Sequence, residues 1–364
     1  MEKTRMSGRK VLGWGLGIML LLVSTPEASG CRFTIREIGY TPLRLQIYIM
    51  ELEADTTRYH DLVRSFRTIA DDMEATTNIH YRIRDTKDAD KGRLVLRNDR
   101  GIVLAEKEVF SAGEIRSFYE KVLFSPLQRA FRRQTGNVFA FLVGFYDERD
   151  TAVDRVVEST LEHFRKLAHS LDKPADQQIL KVMVPPEERA KEEIILRAAG
   201  VDPYVPRPVV MVIYGRGRLA GPPLVGKGIT REKLLKQLVM LGTDCECGID
   251  LSPLLKRAIP LQWTANMDQK VADMLGFDVG NPMVLNEMSQ ILSKEPMASS
   301  AEALSIAPRS VDLDKVFGAS ETSSSQKNNQ EMSRPFRYLL YTGGAILLMV
   351  ITGMGYLFFR NRNS

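Results

Sequence analysis

Thiols and imidazoles are scarce in this chain. Its 364 residues hold three cysteines and four histidines. The histidines, His60, His80, His163 and His169, share no motif. Cys245 and Cys247 are one residue apart, and no third or fourth ligand lies near them in sequence, so a metal centre is not expected. The same C-x-C spacing is poor for an unstrained bridge. It leaves open a disulfide involving Cys31, a strained and easily reduced redox pair, or free thiols.

Motifs of covalent and hydrolytic catalysis are missing as well. The chain has no GxSxG, no HExxH and no Ser-His-Asp spacing. Gly221-Pro-Pro-Leu-Val-Gly-Lys-Gly228 approaches the phosphate loop GxxxxGK[ST]. Gly228 stands where a magnesium-binding hydroxyl belongs, and two prolines remove amide donors. No nucleotide and no cofactor is expected. A one-signed charge is also lacking in the body. Residues 1–30 hold four basic and two acidic groups, residues 326–364 hold five and one, and the whole chain carries +5. The residues between are therefore close to neutral and offer no footprint for nucleic acid.

What is present at the two ends is membrane chemistry. Lys3, Arg5, Arg9 and Lys10 precede an apolar run over 11–23, and small residues follow before a cut. That order is a secretory signal over 1–30, which puts Cys31 at the mature N-terminus. Ala28-Ser-Gly-Cys31 is similar to a bacterial lipobox, so Cys31 is a candidate for lipidation as well as for a disulfide. Residues 338–359 carry no charge and are long enough to span a hydrocarbon core, with aromatics at both ends. A single-pass membrane helix is expected there, with 360–364 as a cytoplasmic tail and the bulk of the chain on the extracytoplasmic side. Residues 293–335 are rich in Ser, Gln, Asn and Glu and read as a disordered stalk.

The body reads as two α/β halves. In the first, 31–124, alternation predicts strands over 31–40, 43–50 and 79–84, with a helix over 58–73. A hairpin follows around Asn98-Asp-Arg-Gly101, then a helix over 112–123 capped by Ser111 with Glu114 at the capping-box position. In the second, 138–243, an unbroken apolar run over 139–146 predicts a strand buried on both faces. A helix over 160–171, a strand over 179–184, a helix over 187–199, a strand over 209–214, a returning strand near 219–225 and a helix over 230–241 complete it. Three short helices, 249–259, 267–275 and 283–292, form a small extension over 244–292.

The second half, over about a hundred residues, resembles the thioredoxin fold. The resemblance rests on element order: a proline just before a buried strand, a Gly turn, a returning strand and a last amphipathic helix. It implies that Pro208, or as the second match Pro206, is the cis-proline beside the redox site. Where thioredoxins carry CxxC at a helix start, this chain reads Phe145-Tyr-Asp-Glu-Arg-Asp-Thr-Ala-Val153. Asp150 and Val153 occupy the places of the two thiols. The first half follows the same order more loosely, as a thioredoxin-like or ferredoxin-like copy. The expected fold is therefore α/β, with tandem thioredoxin-like (β-α-β-β-α) domains and one C-terminal transmembrane helix.

A fold without its thiolate has no nucleophile for disulfide exchange at the usual place. The resemblance implies a binding or assembly module that docks a protein or peptide in a groove bordered by Tyr146, Arg207 and Pro208. Arg216 and Arg218 are expected to add basic charge beside it. Two alternatives stand: an oxidoreductase using Cys245 and Cys247, and a structural spacer in the cell envelope.

Overall fold

The computed structural model describes residues 32–87, 89–147, 149–171, 177–244 and 251–293, a mixed α/β arrangement with two separate sheets. Its first element is a short helix, α1 (Ile35–Gly39). The Thr34 hydroxyl accepts from the Glu37 amide, and the Glu37 carboxylate accepts from the Thr34 amide at 2.7 Å. This reciprocal box satisfies two donors within four residues and needs no partner strand. It overrides the alternation that predicts a strand over 31–40. The predicted strand over 43–50 also shifts, because the chain turns through Arg44 at a φ of 55° and pairs only from Tyr48.

The first sheet starts with β1 (Tyr48–Ala54), crosses over through α2 (His60–Glu74) and returns in β2 (Ile79–Asp85), parallel to β1. An antiparallel hairpin, β3 (Gly92–Asn98) and β4 (Val103–Val109), lies on the other side of β1, giving the order β2-β1-β3-β4. Next comes α3 (Ala112–Leu123), with Ser111 and Glu114 capping it as the sequence predicts. Tyr48, Met50 and Leu52, alternate residues of β1, join Phe66 of α2 and Phe118 of α3 in one core. The intervening residues, Glu51 and Glu53, face the other way among Arg82, Arg84, Arg93 and Arg97. That face is closed by paired charge and not by a helix.

The second half begins with α4 (Pro126–Gln134), followed by β5 (Val138–Phe145), buried along its whole length. α5 (Thr151–Leu167) leads to β6 (Gln178–Met183), parallel to β5. A 3₁₀ stretch, Pro186–Glu192, runs into α6 (Glu193–Ala198). β7 (Val209–Tyr214) pairs antiparallel with β5 on its other side. The returning segment is split by Pro222 and Pro223 into β8 (Arg218–Leu219) and β9 (Leu224–Val225), and α7 (Arg231–Gly242) closes the half. The order β6-β5-β7-β8 repeats that of the first sheet, with the same parallel and antiparallel senses. α5 starts well before residue 160, because Val157 already faces the core.

Both sheets share a helix and a strap. Ile195 and Leu196 of α6 pack in the second core, while Ile194 and Ala198 pack in the first. Beyond α8 (Ser252–Leu255) the chain runs extended between the sheets, so the helix predicted over 249–259 is cut short. The Asn78 side chain donates to the Ile259 carbonyl and accepts from the Leu261 amide, and the Ile259 amide donates to Gly217 at 2.9 Å. Two helices follow, α9 (Ala265–Leu275) and α10 (Pro282–Ser293). The N-terminal segment does not stay with the first sheet either. Its Ile35 amide donates to Thr243, and Arg36 donates to the carbonyls of Val138 and Phe139.

Among the described residues no helix is long and apolar enough to cross a membrane. The signal over 1–30, Cys31, Cys245, Cys247, the stalk beyond Ser293 and the span over 338–359 lie outside the described residues.

Candidate functional site

Register decides which predicted residues meet. Phe145 of β5 pairs with Val209 of β7, so Tyr146 and Pro208 lie side by side at one sheet edge, at the start of α5. Arg207 is exposed at the same edge. Three of the predicted binding residues are therefore brought together.

The chemistry there is that of fixed charges. The Tyr146 ring is buried, and its hydroxyl donates to Asp154 Oδ1 at 3.1 Å. Lys181 of β6 donates to the same oxygen at 2.7 Å and to Glu158 at 2.6 Å. Burial pushes the Tyr146 phenol up, and the hydrogen bond to Asp154 adds to it. The hydrogen bond from Lys181 holds the Asp154 carboxyl below its usual range. Burial pulls the Lys181 ammonium down, but the hydrogen bonds to Asp154 and Glu158 outweigh it and hold it up. Beside them, hydrogen bonds from Arg149 hold Asp147 at about 2. Each of these groups keeps its protonation state through neutral pH. Such a set can hold a partner's charge but is not tuned to pass a proton. The Asp154–Lys181 pair was not legible in sequence, because β6 and α5 meet only in the fold.

The backbone at this edge is already engaged. The peptide bond into Pro208 is trans, since no described peptide bond is cis. The Pro208 carbonyl accepts from the Gly226 amide at 2.9 Å, and the Arg207 carbonyl accepts from Arg189 at 3.3 Å. The expected cis-proline and main-chain groove are therefore not formed by these two residues. β9 folds back onto the start of β7 and takes up the carbonyl that the groove would offer.

Arg216 and Arg218 do not border this edge. They follow the far end of β7 and serve the interior. Arg218 is wholly buried and donates to the carbonyls of Gly39, Thr41, Leu43 and Leu255. Burial pushes its guanidinium down to about 10, so it remains charged at neutral pH. Arg216 donates to the Tyr40 carbonyl and to Asp268, each at 2.7 Å, and stacks on the Trp263 ring. An arginine after a glycine turn reads as solvated. Here its forked donors satisfy the carbonyls of an incoming loop that only the fold supplies.

Comparison with models of known protein families and with curated proteins found no match to this chain.

Proposed function

We propose that this chain is an exported, membrane-anchored module of two tandem thioredoxin-like halves that binds a protein or peptide without thiol chemistry at the usual site. One observation carries the reading. Both sheets have the same strand order and directions, and a Tyr146–Asp154–Lys181 chain lies beside the helix start where Asp150 and Val153 take the places of a thiol pair. The sheet order supports the thioredoxin likeness, and the fixed charges support holding over exchange. The sequence of the two ends supports export and anchoring in the cell membrane.

Since the carbonyls of Arg207 and Pro208 are engaged within the chain, contact with a partner runs through side chains. Arg207 and Arg149 are exposed cations at this edge. The test is capture of partners from membrane extracts by the full chain, with and without Arg207→Glu and Arg149→Glu. Loss of a partner in the charge-reversed chain is the expected outcome. Equal capture by both forms overturns the site. Insulin reduction by the full chain that vanishes in a Cys245→Ser, Cys247→Ser double variant would replace the reading with an oxidoreductase.

A further inference from the structure

A cleft lies away from Pro208, where the first sheet's hairpin meets the second half. Its volume is about 520 Å³. Its walls come from the β3–β4 turn (Arg100, Ile102), the loop after α6 (Asp202, Pro203) and the start of the strap (Lys256, Arg257). A neighbouring hollow shares Gln46, Asp99 and Lys256 with it and adds Ile47.

Charge and apolar surface coincide here. Arg100, Lys256 and Arg257 make no ion pair among the described residues. The two acids nearby are held locally: Asp202 accepts from the Tyr204 amide at 3.0 Å, and Asp99 accepts from Gln46 at 3.4 Å. The three cations outnumber these two acids, so the lining is net positive. Five large hydrophobic side chains stand exposed among the described residues, and two of them line these hollows: Ile47 at 43% and Ile102 at 57%. Grouped apolar side chains among unpaired charge mark an interaction surface, whereas scattered ones do not.

We propose that this cleft binds an acidic peptide segment of a partner protein that also carries aliphatic or aromatic side chains. Carboxylates would meet Arg100, Lys256 and Arg257, and the apolar side chains would cover Ile102 and Ile47. Charge complementarity selects the occupant. A nucleic acid fits less well, because the apolar rim would stay wet. The site is separate from the Arg207 edge and stands without the thioredoxin likeness.

The probe is a short fluorescein-labelled peptide alternating Glu with Leu, titrated with the full chain and followed by anisotropy. The Arg100→Glu, Lys256→Glu double variant is expected to bind it at least about tenfold more weakly, the equivalent of about 1.4 kcal/mol. Ile102→Ser is expected to weaken binding, and Arg67→Glu, at an exposed position of α2, to leave it unchanged. These positions are exposed, and an unchanged thermal melt shows that each variant still folds. Equal binding by the double variant, equal binding of a Lys-for-Glu or a Ser-for-Leu peptide, or preference for a single-stranded oligonucleotide overturns the proposal. So does crosslinking between two copies of the chain that disappears in Lys256→Glu, which would give the cleft to a dimer contact.

Discussion

Arg218 Nε donates to the carbonyl oxygen of Gly39, 2.9 Å away and 179 residues distant in sequence. The bond fastens the N-terminal segment to the second sheet, although the first sheet follows it in the chain. Arg216 adds a second tie, because its backbone amide also donates to the Gly39 carbonyl at 3.0 Å.

Arg218→Met is therefore expected to be among the most damaging single changes. It takes the donor from the carbonyls of Thr41, Leu43 and Leu255 and leaves Gly39 only the Arg216 amide. Each buried carbonyl left unpaired costs about 1–3 kcal/mol. Arg218→Lys keeps the charge but has no fork, and should recover only part of this loss. Urea denaturation of the three forms checks the order.

Gly39→Ala tests the same junction from the other side. A Cβ there would lie 2.3 Å from Cε2 of Tyr214, whose ring is buried and whose hydroxyl donates to Leu254 at 3.0 Å. The ring has no room to move away. A destabilisation of about 1–3 kcal/mol is expected from overpacking, and proteolysis of the N-terminal segment should quicken.

Glu192 gives a pH signature. It is buried, and its Oε1 accepts from the Leu127 amide at 2.8 Å at the start of α4. Burial raises its carboxyl above the ordinary 4.5. A carboxyl raised in the folded state gives stability that is present below its unfolded value and lost as pH rises through its folded value. Stability should therefore fall across that window on going from acid to neutral pH. Glu192→Gln keeps the acceptor for Leu127 and should remove this fall, which melting curves at several pH values will show.

The Asp154–Lys181 pair has the opposite acid limb. Asp154 is held low by Lys181, so its contribution is present above its unfolded value and lost as pH falls through its folded value. Lys181 is held high, so its contribution is present below its unfolded value and lost as pH rises through its folded value. The Asp154 side chain is 41% exposed, which limits the pair to about 1 kcal/mol or less. Asp154→Asn should flatten the acid limb and leave the alkaline limb of Lys181 weaker, because Glu158 still holds it. Chemical denaturation from acid to alkaline pH checks both limbs.

Where a signal is local, it was legible. The apolar run at the centre of the second sheet became β5, the proline-led run became β7, and Ser111 and Thr230 cap the helices that their sequences predict. Thr34 and Glu37 were equally local, yet the alternation around them pointed to a strand and hid the capping box. Arg216, Arg218 and the strap through Ile259 were not legible, because their partners lie in other elements. Of the candidate site, Tyr146, Arg207 and Pro208 were found through strand order, while Lys181 required the pairing of β6 with β5.

By itself the sequence determined the succession of strands and helices and the lack of cysteine at the start of α5, since propensity, caps and residue identity act within a few positions. Only the tertiary structure decided which arginines are solvent groups and which are fasteners. The acceptors of Arg218 lie 37 to 179 residues away, so no window of sequence contains both ends of those bonds. Folding brings carbonyls that lack a helix or sheet partner to one buried guanidinium, and the free energy of leaving them unpaired holds the two halves together.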